Sequence, residues 1–161
     1  MLAYLFWHRP GGGEPRDLYE RLLIEFHEAL RGAVVESAAF RLERLPFTDR
    51  AGYEDWYLID DWLALGDLNE AAVSDVRRSP HDAVAHLSAE GWGGVYHLVR
   101  GRSGVPEGVR WTGKRRDESY ESFLERESAG AVWQRQLVLG PAPEFCRSVE
   151  PAPGRLRLWP P

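Results

Sequence analysis

The segment of residues 53–89, YEDWYLIDDWLALGDLNEAAVSDVRRSPHDAVAHLSA, decides the fold because the period of its apolar residues changes within it. Residues 53–60 alternate aromatic, aliphatic and acidic side chains, a pattern that is typical of a strand. The residues that follow have the apolar period of an amphipathic helix. The segment therefore predicts a strand that leads into a helix over residues 63–89. We expect an interruption of this helix near Ser79-Pro80, where a capping residue precedes a proline, and its end at the glycine-rich residues 91–94.

The other segments are predicted to be partners of this unit. Strands are predicted at residues 2–8, 34–45, 95–100, 109–112 and 131–140, and further helices at residues 17–31 and 117–128. Up to residue 100 the order is βαββαβ, which predicts an α+β protein with a ferredoxin-like antiparallel sheet and helices on one face. Residues 109–140 then form a β-α-β extension, and the proline-rich residues 141–161 an irregular arm. A length of 161 residues predicts one domain over residues 1–161.

Composition narrows the classes of partner. The net charge of −5 provides no basic patch, so we expect neither nucleic acid nor an anionic membrane as a partner. No apolar run approaches the length of a transmembrane helix. Residues 1–7 are apolar but shorter than a signal peptide, and they lack its basic leader. The single cysteine, Cys146, is typical of a reducing compartment. These features predict a cytoplasmic protein.

The predicted element order, with aromatic strands and one uncovered sheet face, resembles the dimeric α/β-barrel superfamily. Its members include EthD-like and antibiotic-biosynthesis monooxygenase-like proteins. Tyr19 and His27 on the first predicted helix add to the resemblance, because EthD-like sequences often carry an aromatic residue and then a histidine there. The proline that follows in those sequences is missing here. The resemblance covers residues 2–100 and implies a homodimer with facing sheets and a pocket in each protomer between sheet and helices. The phrases YEDWYLIDDW and WQRQLVLGPAPEFC also look like those of uncharacterised bacterial proteins.

Two histidines on predicted strands are candidates for chemistry. His8 shares the alternation of Tyr4 and Phe6 and therefore ends an aromatic face of the first strand. His97 lies on the fourth predicted strand. An imidazole titrates near neutral pH, so either residue could serve as a general base. The alternative is that both are half-buried histidines that bond to the backbone.

The run Trp133-Gln134-Arg135 is the densest group of polar and aromatic residues on any predicted strand. Alternation places Trp133 and Arg135 on one face, which is apolar, and Gln134 on the other. An arginine on an apolar face needs a carboxylate, a carbonyl or a ligand anion as its partner. The structural alternative is an ion pair with one of the acidic residues Asp55, Asp60 and Glu70.

The remaining polar groups favour structural roles. His81 and Asp82 could be an oriented histidine or a metal ligand pair, but they also fit a helix start. No pair of histidine or glutamate side chains at ligand spacing has supporting ligands, so we expect neither a metal nor another cofactor. Cys146 has no histidine near it in the sequence and is interpreted as inert.

Two classes of function remain open. In the first, the protein is a cofactor-independent enzyme or binder of a small organic ligand. Its catalytic residues would be His8 and Arg135, and its ligand-binding residues Trp7, Trp56, Tyr57, His97, Trp133 and Gln134. In the second, it is a non-catalytic homodimeric interaction module whose tryptophans fill the interface. Several polar groups that converge in one cavity would favour the first class.

Overall fold

The computed structural model describes residues 1–137 and 140–161. This part of the chain contains eight strands and four helices. In order, they are β1 (Leu2–Pro10), α1 (Arg16–Ala29), β2 (Glu36–Leu42), β3 (Gly52–Ile59), α2 (Trp62–Ala72), α3 (Asp75–Leu87), β4 (Ser88–Arg100), β5 (Gly108–Thr112), α4 (Tyr120–Arg126), β6 (Val132–Arg135), β7 (Phe145–Val149) and β8 (Arg155–Trp159).

All eight strands belong to one sheet with the order β5-β7-β6-β4-β1-β3-β2-β8. Every neighbouring pair is antiparallel. The sheet curls into a half-barrel, and side chains join its two ends. Arg155 on the edge strand β8 donates to the carbonyls of Pro106 and Glu107, which directly precede the other edge strand, β5.

The predicted fold, a ferredoxin-like βαββαβ sheet with a separate β-α-β extension, is wrong. The chain after residue 100 contributes β5, β6, β7 and β8, and these strands lengthen the same sheet at both edges. The expected irregular arm at residues 141–161 contains β7 and β8. The prolines there lie outside the strands and mark their ends, which is where proline is tolerated. Part of the predicted strand 131–140 falls on residues 138 and 139, which lie outside the described residues.

The helical segment also differs from the prediction. The break lies between α2 and α3 at Val73-Ser74, while Pro80 lies inside α3. The glycine-rich residues 91–94, predicted to end the helix, belong to β4. Among the described residues, no helix combines the length and the apolar character that crossing a lipid bilayer requires.

The two faces of the sheet carry separate cores. Helices α1, α2 and α3 cover the outer face, where the buried residues include Leu2, Tyr19, Leu23, Phe26, Tyr57 and Val95. The inner, concave face is filled by the chain itself, with Trp7, Phe40, Trp56, Tyr96, Trp133 and Cys146. The uncovered face that suggested a homodimer is therefore occupied by side chains from β6 and β7. The homodimer stays a prediction, without that argument for it.

Candidate functional site

A cavity of about 870 Å³ lies between the sheet and helices α1, α2 and α3. Most of its wall is apolar and includes Tyr4, Phe6, Phe26, Leu65, Val84 and Val95. Its polar lining residues include His8, Asp55, Tyr57, Asn69, His81 and Ser88. Gly66 and Ala85 in the lining are exposed, so the cavity opens to solvent. A volume and composition of this kind are those of small-molecule sites in proteins.

Strand alternation builds the floor of the cavity. Tyr4, Phe6 and His8 on β1 point to the helical side, as does Asp55 on β3. Glycines on the neighbouring strand β4 make room for the aromatic rings, since a Cβ atom on Gly91 would lie 2.6 Å from Cζ of Phe6. Glycine in a strand often marks such a close approach. The glycines of β4 therefore shape the cavity.

Asp55 is a buried carboxylate at the polar end of the cavity, with 2% of its surface exposed. His8 Nε2 lies 3.0 Å from Oδ2, and the Tyr57 hydroxyl donates to the same oxygen over 3.1 Å. Burial alone would raise the pKa of Asp55, but the charges and hydrogen bonds of His8 and His27 outweigh burial and hold this pKa well below its ordinary value. Asp55 is therefore ionised at neutral pH.

His27 on α1 approaches the other oxygen of this carboxylate. Its Nε2 lies 3.4 Å from Asp55 Oδ1, an ion-pair distance. The imidazole stacks on the Tyr57 ring with centroids 5.1 Å apart and planes 6° from parallel. Nδ1 of His27 is buried with no hydrogen-bond partner among the described residues. Because Nε2 faces a carboxylate, which only accepts hydrogen bonds, this nitrogen carries a proton.

The second ring nitrogen of His8, Nδ1, faces α1 and not Asp55. His8 Nδ1 lies 2.5 Å from the Tyr19 hydroxyl on α1. The Tyr19 hydroxyl lies 2.8 Å from Oγ of Ser88, where α3 ends and β4 begins. Ser88 Oγ is also 3.0 Å from the carbonyl oxygen of Val84. A continuous hydrogen-bonded chain thus connects the Asp55 carboxylate with a hydroxyl in the cavity wall.

The structure brings together only part of the site predicted from the sequence. His8 and Tyr57 both line the cavity. Trp7, Trp56 and Trp133 are fully buried in the core on the concave face. Trp7 directly precedes His8 and Trp56 directly precedes Tyr57, and neighbouring strand residues point to opposite faces. One pocket could not have contained both members of either pair.

The other predicted site residues lie outside the cavity lining. His97 is exposed on β4 and pairs in the sheet with Gln134, whose amide donates to Glu144. Arg135 donates to the carbonyl oxygens of Gly140 and Ala142, 3.1 and 2.6 Å away. Its partners are therefore backbone carbonyls, one of the three kinds that an arginine on an apolar face requires. The ion pair with Asp55, Asp60 or Glu70 that the sequence offered as the alternative is not among its contacts within the described residues.

Four residues of the site were not predicted as site residues: Asp55, Tyr19, His27 and Ser88. Asp55 has the same alternation as Tyr57, so the strand pattern alone could have placed it beside the predicted ligand-binding tyrosine. Tyr19 and His27 entered only through the family resemblance, which did not assign them a role here. No local sequence signal distinguishes Ser88, because its position depends on how α3 returns to the sheet.

The other candidates from the sequence were a metal site, the His81-Asp82 pair and Cys146. Within residues 1–137 and 140–161, no group of three or more His, Cys, Asp or Glu side chains could hold a metal ion. His81 also lines the cavity, and it lies inside α3 rather than at the predicted helix start. Its Nδ1 is 2.9 Å from Oδ1 of Asp82, and its ring packs edge-on against Phe26. Burial raises the pKa of the Cys146 thiol well above its ordinary value, which keeps it protonated.

Three comparisons with known proteins found no match to this chain. No family model matches the chain, and neither the curated proteins nor the solved structures contain a significant match to it. The resemblance to the dimeric α/β-barrel superfamily stays a prediction. Functional inference for this chain therefore depends on the geometry of the cavity.

Proposed function

We propose that the protein binds a small, largely apolar organic molecule in the cavity between the sheet and helices α1–α3. The observation that supports this most directly is the combination of an apolar space of about 870 Å³ with the buried, ionised carboxylate of Asp55 at its end. Apolar walls contribute affinity, and a few fixed polar groups orient the ligand.

The chemistry of the walls suggests the type of ligand. Tyr4 stacks on Phe6 and on Tyr57, with ring centroids 6.3 and 5.9 Å apart. Such a surface favours flat, aromatic or conjugated molecules. The carboxylate of Asp55 disfavours an anionic group at the polar end because two like charges repel strongly in an apolar site. We therefore propose a neutral ligand with an aromatic or conjugated body.

The alternative function, a homodimeric interaction module, has less support. Its tryptophans were expected to fill an interface, but Trp7, Trp56 and Trp133 are fully buried within one chain. Exposed apolar side chains do occur on α2 and α3, with Leu63 and Val76 more than two-thirds exposed. Single exposed apolar residues are common on protein surfaces and do not define an interface.

A neutral fluorescent probe, N-phenyl-1-naphthylamine, tests the proposal. Its fluorescence rises when it enters an apolar site, so we expect saturable enhancement with the wild-type protein. Ala72 lines the cavity and is half-buried on α2, so Ala72→Trp fills part of the space and should weaken binding at least tenfold. Leu63→Trp, on the exposed side of the same helix, is the matched control and should bind normally.

The two variants also show how the proposal would fail. Absence of saturable enhancement in the wild type would contradict it directly. Equal probe affinity in Ala72→Trp and Leu63→Trp would show that the probe binds elsewhere. Thermal unfolding of both variants checks that the Ala72→Trp protein is folded. Sedimentation of the wild type in the same buffer tests the alternative, since a stable dimer without probe binding would favour the interaction module.

A further inference from the structure

We propose that a proton-accepting chain runs from the cavity to the buried imidazole of His8, with Ser88 as the group that contacts the ligand and Tyr19 as the intermediate. The activity is deprotonation of a weak organic acid bound in the cavity. This inference depends on the proposed function, because a ligand must first occupy the cavity. It adds to binding a reaction that requires neither a metal nor an organic cofactor.

His8 cannot accept a proton from a ligand directly. Only 2% of its surface is exposed. One ring nitrogen faces Asp55 and the other faces the Tyr19 hydroxyl, so both are occupied within the protein. A general base must be within hydrogen-bond reach of the proton that it removes, directly or through an intermediate. The hydroxyls that continue the chain provide that route.

The hydrogen bonds of the chain are consistent in two arrangements that differ by one proton. With neutral His8, Nε2–H donates to Asp55, while Nδ1 accepts from Tyr19 and the Tyr19 oxygen accepts from Ser88. With protonated His8, Nδ1–H donates to Tyr19, Tyr19 donates to Ser88, and Ser88 donates to the Val84 carbonyl. The distances along this route are 2.5, 2.8 and 3.0 Å. The two distances between oxygen atoms are within the usual range of an O–H···O hydrogen bond, and the distance from Nδ1 of His8 to the Tyr19 hydroxyl is shorter than an ordinary hydrogen bond.

The surroundings favour acceptance of the proton at His8. The ionised Asp55 lies 3.0 Å from the imidazole and stabilises the positive charge that forms there. Burial raises the pKa of Tyr19 far above its ordinary value, so the tyrosine keeps a proton while it passes one on. The histidine thus supplies the basicity, and Asp55 and Tyr19 act as positioning residues.

The base-promoted ring opening of 5-nitrobenzisoxazole tests this inference without knowledge of the natural ligand. The proton on the ring carbon moves to Oγ of Ser88, and the electron pair of that C–H bond forms the nitrile. The N–O bond breaks, and the leaving oxygen departs as a coloured phenolate. At the same time the former proton of Ser88 moves to Tyr19, and that of Tyr19 moves to Nδ1 of His8. The step requires no oxidant or reductant.

We expect the wild-type protein to accelerate this reaction by about 10²–10⁴-fold over buffer, the usual contribution of a positioned base. Ser88→Ala and Tyr19→Phe interrupt the chain and should lower kcat by at least tenfold with KM unchanged. Ser88→Thr keeps the hydroxyl and should recover most of kcat. Tyr53→Phe is the matched tyrosine control because the Tyr53 hydroxyl donates to Glu20 and lies outside the chain. It should leave kcat unchanged.

The outcomes separate this inference from the binding proposal. If 5-nitrobenzisoxazole fails to displace N-phenyl-1-naphthylamine, binding itself is contradicted. If it displaces the probe but wild type gives no acceleration, or Ser88→Ala and Tyr19→Phe keep full kcat, the proton chain is overturned and binding stands. Nitrogen NMR of the wild type does not depend on the variants folding. Neutral His8 should carry its proton on Nε2, and a proton on Nδ1 instead would contradict the chain.

Discussion

Strand β3 places two buried carboxylates side by side, Glu54 on the concave face and Asp55 on the helical face. Glu54 accepts hydrogen bonds from the indoles of Trp7 and Trp56 and pairs with Arg155 over 2.9 Å. It is fully buried in a packed core. Asp55 is as deeply buried, but it borders an open cavity and its main partners are two titratable imidazoles. Similar burial therefore serves structure on one face and a site on the other.

The difference shows that burial of an acid does not by itself indicate function. The partners of Glu54 are permanent donors, since two indoles and a guanidinium keep their protons at every physiological pH. The partners of Asp55 are imidazoles, which exist in a neutral and a protonated form. A carboxylate with fixed partners holds the fold, whereas one with titratable partners beside a cavity can support chemistry.

The largest effect is expected from Glu54→Ala. The substitution leaves the Arg155 guanidinium, 3.3 Å from the Phe40 ring centroid, as a buried charge without its carboxylate. Such a loss costs about 3–5 kcal/mol of unfolding free energy. Urea unfolding measures it, and the double variant Glu54→Gln with Arg155→Leu should recover part of the loss. A cost below about 1 kcal/mol, as for an exposed pair, would contradict the structural role.

Asp55→Asn should have a smaller effect that depends on pH. The folded-state pKa lies below the ordinary value of 3.8, so ionised Asp55 stabilises the fold above this pH, and the contribution is lost as pH falls through the folded-state pKa. We expect Asp55→Asn to cost about 1–3 kcal/mol near neutral pH. The difference from wild type should shrink in acid.

Urea unfolding of both proteins across the acid range tests this dependence. Glu54→Gln is the comparison on the concave face. A stability difference between wild type and Asp55→Asn that stays constant down to strongly acidic pH would contradict the depressed pKa of Asp55.

Arg135→Ala tests whether this residue belongs to the concave face or to a ligand site. Its hydrogen bonds run to the backbone carbonyls of Gly140 and Ala142. We expect a cost of about 1–2 kcal/mol in thermal unfolding, since hydrogen bonds from a charged group are lost but no carboxylate is left unpaired. Binding of N-phenyl-1-naphthylamine should not change. If Arg135→Ala lost probe binding but kept its stability, Arg135 would instead be a ligand-binding residue.

A pair of glycine substitutions is expected to give the smallest changes in stability. A Cβ atom at Gly66 on α2 meets no atom within 4 Å, so Gly66→Ala should stabilise the protein by about 0.5–1 kcal/mol. Gly91→Ala pushes the Phe6 ring into the cavity and should weaken binding of the naphthylamine probe. Thermal unfolding and probe titration of both variants measure these effects. Undiminished binding in Gly91→Ala would show that Phe6 does not limit the cavity.

The sequence predicted features that depend on local alternation. Tyr4, Phe6 and His8 were placed on one face because side chains alternate along a strand, whatever the strand pairs with. The neighbourhood of His8 and Asp55 could not be derived in this way, since these residues are 47 positions apart and meet only through the pairing of β1 with β3. Ser88 could not be predicted for the same reason, because it is 69 positions from Tyr19 and the two meet only in the folded chain.

The larger errors arose from residues that usually interrupt regular structure. The glycines at residues 91–94 were interpreted as a break, yet they allow the rings of β1 to lie across β4. The prolines after residue 140 were interpreted as an irregular arm. The segment RLRLW of β8 has the strict alternation of a strand, and this signal was overlooked between its flanking prolines. Glycine and proline indicate only the local preference of the backbone. Whether a segment joins a sheet depends on the strand that it pairs with.

The pairing of Glu54 with Arg155 has a consequence for biosynthesis. The two residues are separated by 101 positions, which a ribosome that adds about 5–20 residues per second requires roughly 5–20 s to translate. During that interval the nascent chain contains an acid destined for an apolar core, without the cation that neutralises it. Burial of that acid alone is costly, so closure of the concave core is unfavourable before β8 has been synthesised. Closure of the concave core therefore depends on β8, which brings Arg155 to Glu54.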